Sequence, residues 1–357
     1  MNTTGVVDLE DTDGLLAADR QGLLRSASMA GAQVRAVAAA QDEGALEPLR
    51  ANDRPRTVIW VAGRGTAETA GAILAATMAG TAAEPIVVAS ECPPWIGPLD
   101  VLIVAGDDPG DSALVGAAAT GVRRGSRVVV VAPYEGPLRD TTAGRVAELS
   151  PRLWGPAEFG LCRYLAAGLA SLHAVDPRLS VDLAVLADEL DAEALHNSAG
   201  RELFTNPAKT LAARMSGRRV ALAGDCAATL ALARHGSAVL LRIADQVTAA
   251  TGLADALVAL STGASDGFRD SADSLFHDDD IDGPLPQRLR VLGLTLAGER
   301  MVLASKVAGL NDIDLIAAED APETPGSLPA PARAEQQLAI LAVRLEMAAV
   351  YLRLVRG

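Results

Sequence analysis

Lysine is almost missing from this chain: of 31 basic side chains only Lys209 and Lys306 are lysines. With the abundant alanine, that preference for arginine has the character of a GC-rich genome. Aromatic residues make up 3%, so the core must be aliphatic, as in folds of short strands alternating with alanine-rich helices. The cysteines, Cys92, Cys162 and Cys226, are far apart and odd in number, which excludes a disulfide framework or a zinc knuckle. They are expected to be reduced, small core residues of a cytoplasmic protein. Positive charge is in deficit, with 31 basic against 45 acidic residues and a net charge of −14. Without a basic stripe there is no footprint for nucleic acid, and none is expected as a partner. No apolar run reaches the ~18 residues of a membrane span, and "MNTTGVVDLEDTDG" lacks a basic-then-apolar signal region. A soluble cytoplasmic protein with no membrane partner is the expectation.

What is present is a repeated grammar. The 357 residues, half of them apolar, suffice for two cores or one large α/β unit. A helical lead-in occupies roughly Gly14 to Ala40, within a segment 1–55 that ends at the prolines of "ALEPLRANDRPR". From Thr57 short apolar runs alternate with helix-forming stretches: "TVIWVAG", "PIVVAS", "LDVLIVAG" and "RVVVVAP" are strands, and "TAETAGAILAATMAG" is a helix. Near-continuous Val/Ile runs of this kind suit parallel strands buried on both faces. "RRVALAGDCAATLALARHG" then repeats "RTVIWVAGRGTAETAGAILAA" in kind, and "LRVLGLTLA" and "IDLIAAED" add later strands. The pattern predicts an α/β protein of two three-layer αβα sandwich domains with parallel sheets, 56–175 and 176–330, plus N- and C-terminal helices. The last helix lies in 331–357, beyond a Pro-rich linker. Ligands belong at the carboxyl ends of such strands.

Three stretches lie at those ends or beside them. In "VAGRGTAET", Gly63 and Gly65 permit a tight strand-to-helix turn, Thr66 offers a hydroxyl and Arg64 stands at the rim. This reads as a phosphate or carboxylate seat, or simply as a capped helix start. "VLIVAGDDPGDSALVGAAA" has the same build but carries Asp107, Asp108 and Asp111, with Ser112 its remaining hydroxyl. Two like charges ~4 Å apart at an effective dielectric of 20 repel by ~4 kcal/mol, so an ionised Asp107 facing a phosphate would defeat the seat. The alternative makes all three aspartates solvated helix-start residues favoured by the macrodipole. "SLFHDDDIDG" imitates the start of a calcium loop at Asp278, Asp280, Asp282 and Gly283. Its twelfth position is Leu289 rather than Glu, and no metal site is assigned. "TNPAKTLAARMSG" is a well-formed helix start, with Asn206 or Thr205 as cap and Pro207 at the first position.

Taken in order, "NPAKTLAARMSGRRVALAG", "VAGRGTAETAG", "SPRLWG" and "ILAVRLEMAAVYLRLVRG" resemble the bifunctional phosphoglucose/phosphomannose isomerases. These are double SIS-domain proteins, and the resemblance, from Thr57 to Gly357, is nearest their actinobacterial TobH-like branch. It implies a homodimer without metal or cofactor that handles a sugar phosphate or other carbohydrate derivative, with the closing helix at or near the subunit contact. It also implies roles: Asp245 as base, in "LLRIADQVTAATG"; His277 for ring opening; Arg152, in "SPRLWG", as electrostatic stabiliser of an enediolate. Gly63, Arg64, Gly65, Thr66, Asp107 and Ser112 would line the ligand seat. The departures weigh against turnover. The phosphate loop reads "AGDDPGD" where the family has hydroxyls, an Asp stands in place of a Glu, and 334–357 contains no Lys. The expectation is a degraded site in a sugar-derivative-binding or regulatory protein of carbohydrate metabolism, with an active glucose 6-phosphate/mannose 6-phosphate aldose–ketose isomerase as the alternative.

Overall fold

Strands whose residues alternate between two apolar surroundings organise the computed structural model, which describes residues 7–50, 53–266, 288–320 and 333–356. In the first sheet β1 (Thr57–Val61), β2 (Ile86–Ala89), β3 (Asp100–Ala105), β4 (Arg127–Val131) and β5 (Ala147–Glu148) run parallel in the order β2-β1-β3-β4-β5. In the second, β6 (Arg219–Gly224), β7 (Thr248–Gly252), β8 (Leu289–Leu294) and β9 (Ile313–Ile316) are parallel in the order β7-β6-β8-β9. The fold is α/β, as the repeated grammar predicts, with thirteen α-helices among the described residues.

The period-two alternation of strand side chains sorts the core into three parts. Val58 and Trp60 face an inner core while Ile59 and Val61 face an outer one. In the second sheet Val220 and Leu222 point inward, and Ala221 and Ala223 point to a separate outer cluster. The outer layers are built on α5 (Ser112–Arg123) and α6 (Gly136–Thr142) for the first sheet, and on α11 (Leu253–Asp266) and α12 (Arg300–Val307) for the second. The inner core is continuous between the two sheets, so the two sandwiches share their helical middle. Within it α4 (Gly65–Met78) packs on α7 (Leu161–Val175) and α10 (Ala227–Ala244).

The lead-in is helical but broken. It forms α1 (Thr12–Ala18), α2 (Leu23–Ala27) and α3 (Ala30–Asp42). The Asp19 carboxylate accepts from the Leu23 and Leu24 amides at 2.8 and 2.9 Å, and Gly22 takes φ +65°. That turn is a helix cap no non-glycine residue adopts cheaply.

The last helix, α13 (Ala334–Arg356), is buried within its own chain. Its buried residues lie all round it rather than on one stripe, and it packs on α2, α7, α8 (Leu183–His196), α9 (Pro207–Met215) and α10 of its own chain. The shared inner core surrounds most of this helix, which leaves its surroundings for the subunit contact expected at or near it. It also brings charge inside. Arg344, 1% exposed, donates from Nε to Glu193 Oε1 at 2.7 Å and from Nη1 to the Ala317 carbonyl at 2.7 Å. Glu346 Oε1 meets His235 Nε2 of α10 at 2.9 Å, and burial raises the Glu346 carboxyl above its ordinary range.

The "NPAK" segment is a staple of the same kind. Asn206 is the cap, its side chain accepting from the Lys209 amide at 2.9 Å. Lys209 Nζ, fully buried, donates to the Ala199 and Arg201 carbonyls at 2.8 Å each. Tyr351 of α13 donates to the Asn197 carbonyl at 2.6 Å, so this corner of α8–α9 is fastened to the last helix.

Two stability predictions come from these contacts. Glu193→Ala strips a buried guanidinium of its carboxylate and is expected to cost ~3–5 kcal/mol in chemical denaturation, part of it regained when Arg344→Leu is added. A Cβ on Gly224 would stand 2.2 Å from the Leu230 backbone nitrogen. Gly224→Ala should therefore displace the start of α10 and cost ~1–3 kcal/mol, read as a lowered denaturation midpoint at unchanged slope.

Candidate functional site

The strand order of the first sheet reverses between β1 and β3, and the crevice at the carboxyl ends of such a pair is where open α/β sheets bind ligands. The loop after β1 holds Gly63, Arg64, Gly65 and Thr66. Arg64 is extended and exposed, and Gly65 turns through φ +71°, which explains the glycine. The Thr66 hydroxyl is engaged, donating to the Ala157 carbonyl at 3.0 Å. Asp107, Asp108 and Asp111 occupy the loop after β3, and Ser112, exposed, begins α5. The structure thus brings six of the expected seat residues, Gly63, Arg64, Gly65, Thr66, Asp107 and Ser112, to one end of one sheet.

The three aspartates are not bare charges. Asp111 Oδ1 accepts from the Ala113 amide at 2.8 Å and from the Leu114 amide at 3.5 Å. These are the free N–H groups at the head of α5 that an anion would otherwise take. Its other oxygen would lie 3.5 Å from a Cβ on Gly63, so the carboxylate sits between the two loops. Asp108 accepts from the Gly110 amide at 2.8 Å. Asp107 Oδ1 accepts from Arg163 Nη2 at 2.9 Å and from the Tyr164 hydroxyl at 2.6 Å. The Arg163 guanidinium stacks 4.0 Å from the centre of the Tyr164 ring, and burial raises the Tyr164 phenol well above its ordinary range. Neither sequence reading anticipated this: Asp107 is half of an ion pair, not a solvated helix start.

Arg163 and Tyr164 were not singled out in the sequence. The available signal was a guanidinium inside "LCRYLAAGLASLHAV", a helix otherwise almost wholly apolar, because a buried Arg needs a counter-charge. The partner, 56 residues earlier in the chain, could not be named from spacing.

Arg152 lies near the same end of the sheet, with both guanidinium Nη atoms bound to the two oxygens of Glu43, one at 2.8 Å. That hydrogen bonding holds the Glu43 carboxyl below its usual range. Asp245 closes α10 in the left-handed region at φ +50°; its side chain is exposed and makes no hydrogen bond among the described residues. Arg242, three residues earlier, pairs with Glu158 at 2.6 Å, so the end of α10 is carried to the turn that receives Thr66. No hydrogen bond joins Asp245 to Arg152, Thr66 or Asp107. His277 lies outside the described residues, as do Asp278, Asp280 and Asp282. The other histidines are structural: His173 Nδ1 lies 2.7 Å from the Leu179 carbonyl, His235 is in the core, and His196 ends α8.

The second unit repeats the turn without the aspartate-rich loop. Cys226 occupies the position of Arg64, capping α10 with Thr229, and Asp225 pairs with Lys306 at 3.6 Å. No group of three or more metal-ligating side chains is assembled among the described residues, and no helix there is long and apolar enough to cross a membrane.

No protein-family model matches the sequence, and no curated protein does. Solved structures do match. The tagatose-6-phosphate ketose/aldose isomerase of Escherichia coli superposes with a TM-score of 0.62 at 14% identity, covering 94% of this chain and 92% of that one. The C-terminal domain of the Francisella tularensis glucosamine-fructose-6-phosphate aminotransferase gives 0.58 at 11% identity, over 94% and 95%. A glucose-6-phosphate isomerase like protein of Thermus thermophilus gives 0.53 at 19% identity, over 98% and 96%. The chain has the SIS-type αβα fold of the phosphosugar isomerases. At these identities the likeness is one of architecture.

The internal cap is directly testable. Asp111→Ala should lower stability by ~0.5–2 kcal/mol, the cost of an N-cap, in urea denaturation. An unchanged midpoint would mean that the carboxylate does not hold the head of α5.

Proposed function

We propose that this protein binds a carbohydrate derivative and acts as a regulatory member of carbohydrate metabolism, in a phosphosugar-isomerase fold whose isomerase site is degraded. The observation that carries this reading is the Asp111 carboxylate on the amides of Ala113 and Leu114. A phosphate arriving at the head of α5 meets a seat already held by an anion, beside a second aspartate paired with Arg163. The remaining seat residues, Gly63, Arg64, Gly65, Thr66 and Ser112, frame the crevice and admit a ligand that brings little charge of its own. The reading places the protein in the cytoplasm as a homodimer, with the subunit contact formed outside the covered helix 334–356.

An active glucose 6-phosphate/mannose 6-phosphate isomerase is the second reading. It is favoured by the Arg242–Glu158 pair, which carries the end of α10, and with it Asp245, toward the first unit. There Asp245 would serve as base and Arg152 as stabiliser, with His277 opening the ring. Against it, a base one methylene short must still reach its proton, and catalytic placement is sensitive to about 1 Å.

Turnover separates the two. In a coupled assay with fructose 6-phosphate or mannose 6-phosphate, kcat is expected to lie at least ~10⁴-fold below the ~10 per second of an ordinary enzyme, and raising substrate should not rescue it. A rate near ~1 per second that disappears in Asp245→Ala would establish the isomerase and overturn the proposal.

A further inference from the structure

The edge of a sheet recruits further strands, because every second residue there holds an N–H and a C=O with nothing to bond. Four strands stand at edges: β2 and β5 in the first sheet, β7 and β9 in the second. Three of them are blunted. β5 is two residues long and ends on the exposed Glu148. β9 carries Asp314, paired with Arg290 at 2.6 Å. β7 is "TAATG", of low strand propensity, and its Thr248 carbonyl already accepts from the Ser237 hydroxyl. β2 has no such protection. It reads "IVVA", without a charge, and all of its residues are partly exposed.

The register decides which of its backbone groups are free. Val58 stands level with Ile86 and Trp60 with Val88. The Val58 N–H donates to the Pro85 carbonyl at 3.0 Å, and the Ala62 N–H to the Ala89 carbonyl at 3.2 Å. Successive residues of a strand turn their backbone groups to opposite sides, so Pro85, Val87 and Ala89 spend theirs on β1. Ile86 and Val88 turn theirs outward, and no strand lies beyond them among the described residues.

Two outward residues on either side of a central one make this edge complementary to itself. A two-fold axis through Val87, perpendicular to the sheet, sets a second β2 antiparallel to the first. Ile86 then lies opposite Val88 of the partner subunit, and Val88 opposite Ile86 of the partner subunit. Each pair exchanges two N–H···O bonds, about four in all. The side chains of Ile86 and Val88 pack on the inner core, so the β-branched cross-strand pairs meet on that face. A second copy brings the same two residues already in register, and neither strand has a charge to oppose it.

The geometry points to a homodimer contact in which β2 pairs antiparallel with β2 of a second copy, joining two five-stranded sheets into one. The inference rests on the homodimer reading and places the contact at the β2 edge rather than around α13. The two crevices open at opposite ends of the joined sheet, so each subunit keeps a site of its own.

Sedimentation of the full chain and a designed crosslink test it. The protein should sediment as a dimer at micromolar concentration. Val88→Pro removes an N–H that β1 does not use, and with it two of the bonds between subunits. It should weaken the dimer about a hundredfold, tenfold for each bond, with an unchanged circular dichroism spectrum. Val87 and Val87 of the partner subunit would form a non-hydrogen-bonded pair with Cα atoms about 4.5 Å apart, within reach of a disulfide. Val87→Cys should therefore give a covalent dimer under mild oxidation that reductant reverses, and the native chain, with Cys92, Cys162 and Cys226, should not. That result stands whether or not Val88→Pro folds. A native chain that sediments as a monomer would remove both this contact and the homodimer reading. A dimer that fails to crosslink through Val87→Cys would keep the homodimer and overturn the β2 contact, as would one that survives Val88→Pro intact.

Discussion

Everything in the middle of this molecule is arranged around a guanidinium that has no access to water. Arg344 enters the inner core on the last helix and is held there by Glu193 of α8 and by the Ala317 and Ala318 carbonyls beyond β9. A buried ion pair of this kind adds little net stability over an apolar pair of the same shape, but half of one is ruinous. Its effect is to fix register. The last helix can sit at one depth and one rotation between the two sheets, where Glu346 also finds His235. An aliphatic core of Ala, Val and Leu, poor in large rings, specifies such alignments weakly on its own.

The candidate site is built on the same economy of charge. Three aspartates crowd the loop after β3, and each is satisfied within the chain: by a helix head, by a turn amide, or by an arginine and a tyrosine. The loop keeps the geometry of an anion seat with the anion supplied covalently. The anion-binding amides of the crevice are accordingly already taken, where a related architecture carries an isomerase of a phosphorylated sugar.

Much of the fold was legible because burial on both faces writes strands as Val/Ile runs. β1, β3 and β4 stand out in this way, while β6, β8 and β9 read as mixed apolar runs, and the two strand-turn-helix starts at Val58 and Val220 repeat one pattern. β7 did not, because "TAATG" is small, partly exposed and of low strand propensity, and its place is decided by pairing with β6. The break at Asp19–Gly22 was hidden by a helical spacing that continues across it. Sequence could say that the last helix is apolar, but not whether its own chain or a second copy covers it. The seat residues were found from the turn chemistry. The pairing of Asp107 with Arg163 was not, since a contact across 56 residues depends on how α7 lies over the sheet.

The Asp111 cap has a kinetic and thermodynamic reach beyond the helix it closes. A group tethered by a few bonds acts at an effective concentration of about a millimolar or more even when its linker is flexible, and this one is held in place by two amides. Any free anion seeking the head of α5 is thus in competition with a resident that never diffuses away. Changes in the cell's pool of phosphorylated metabolites would leave such a site largely indifferent. A neutral solute, which makes no claim on those amides, meets no such competitor.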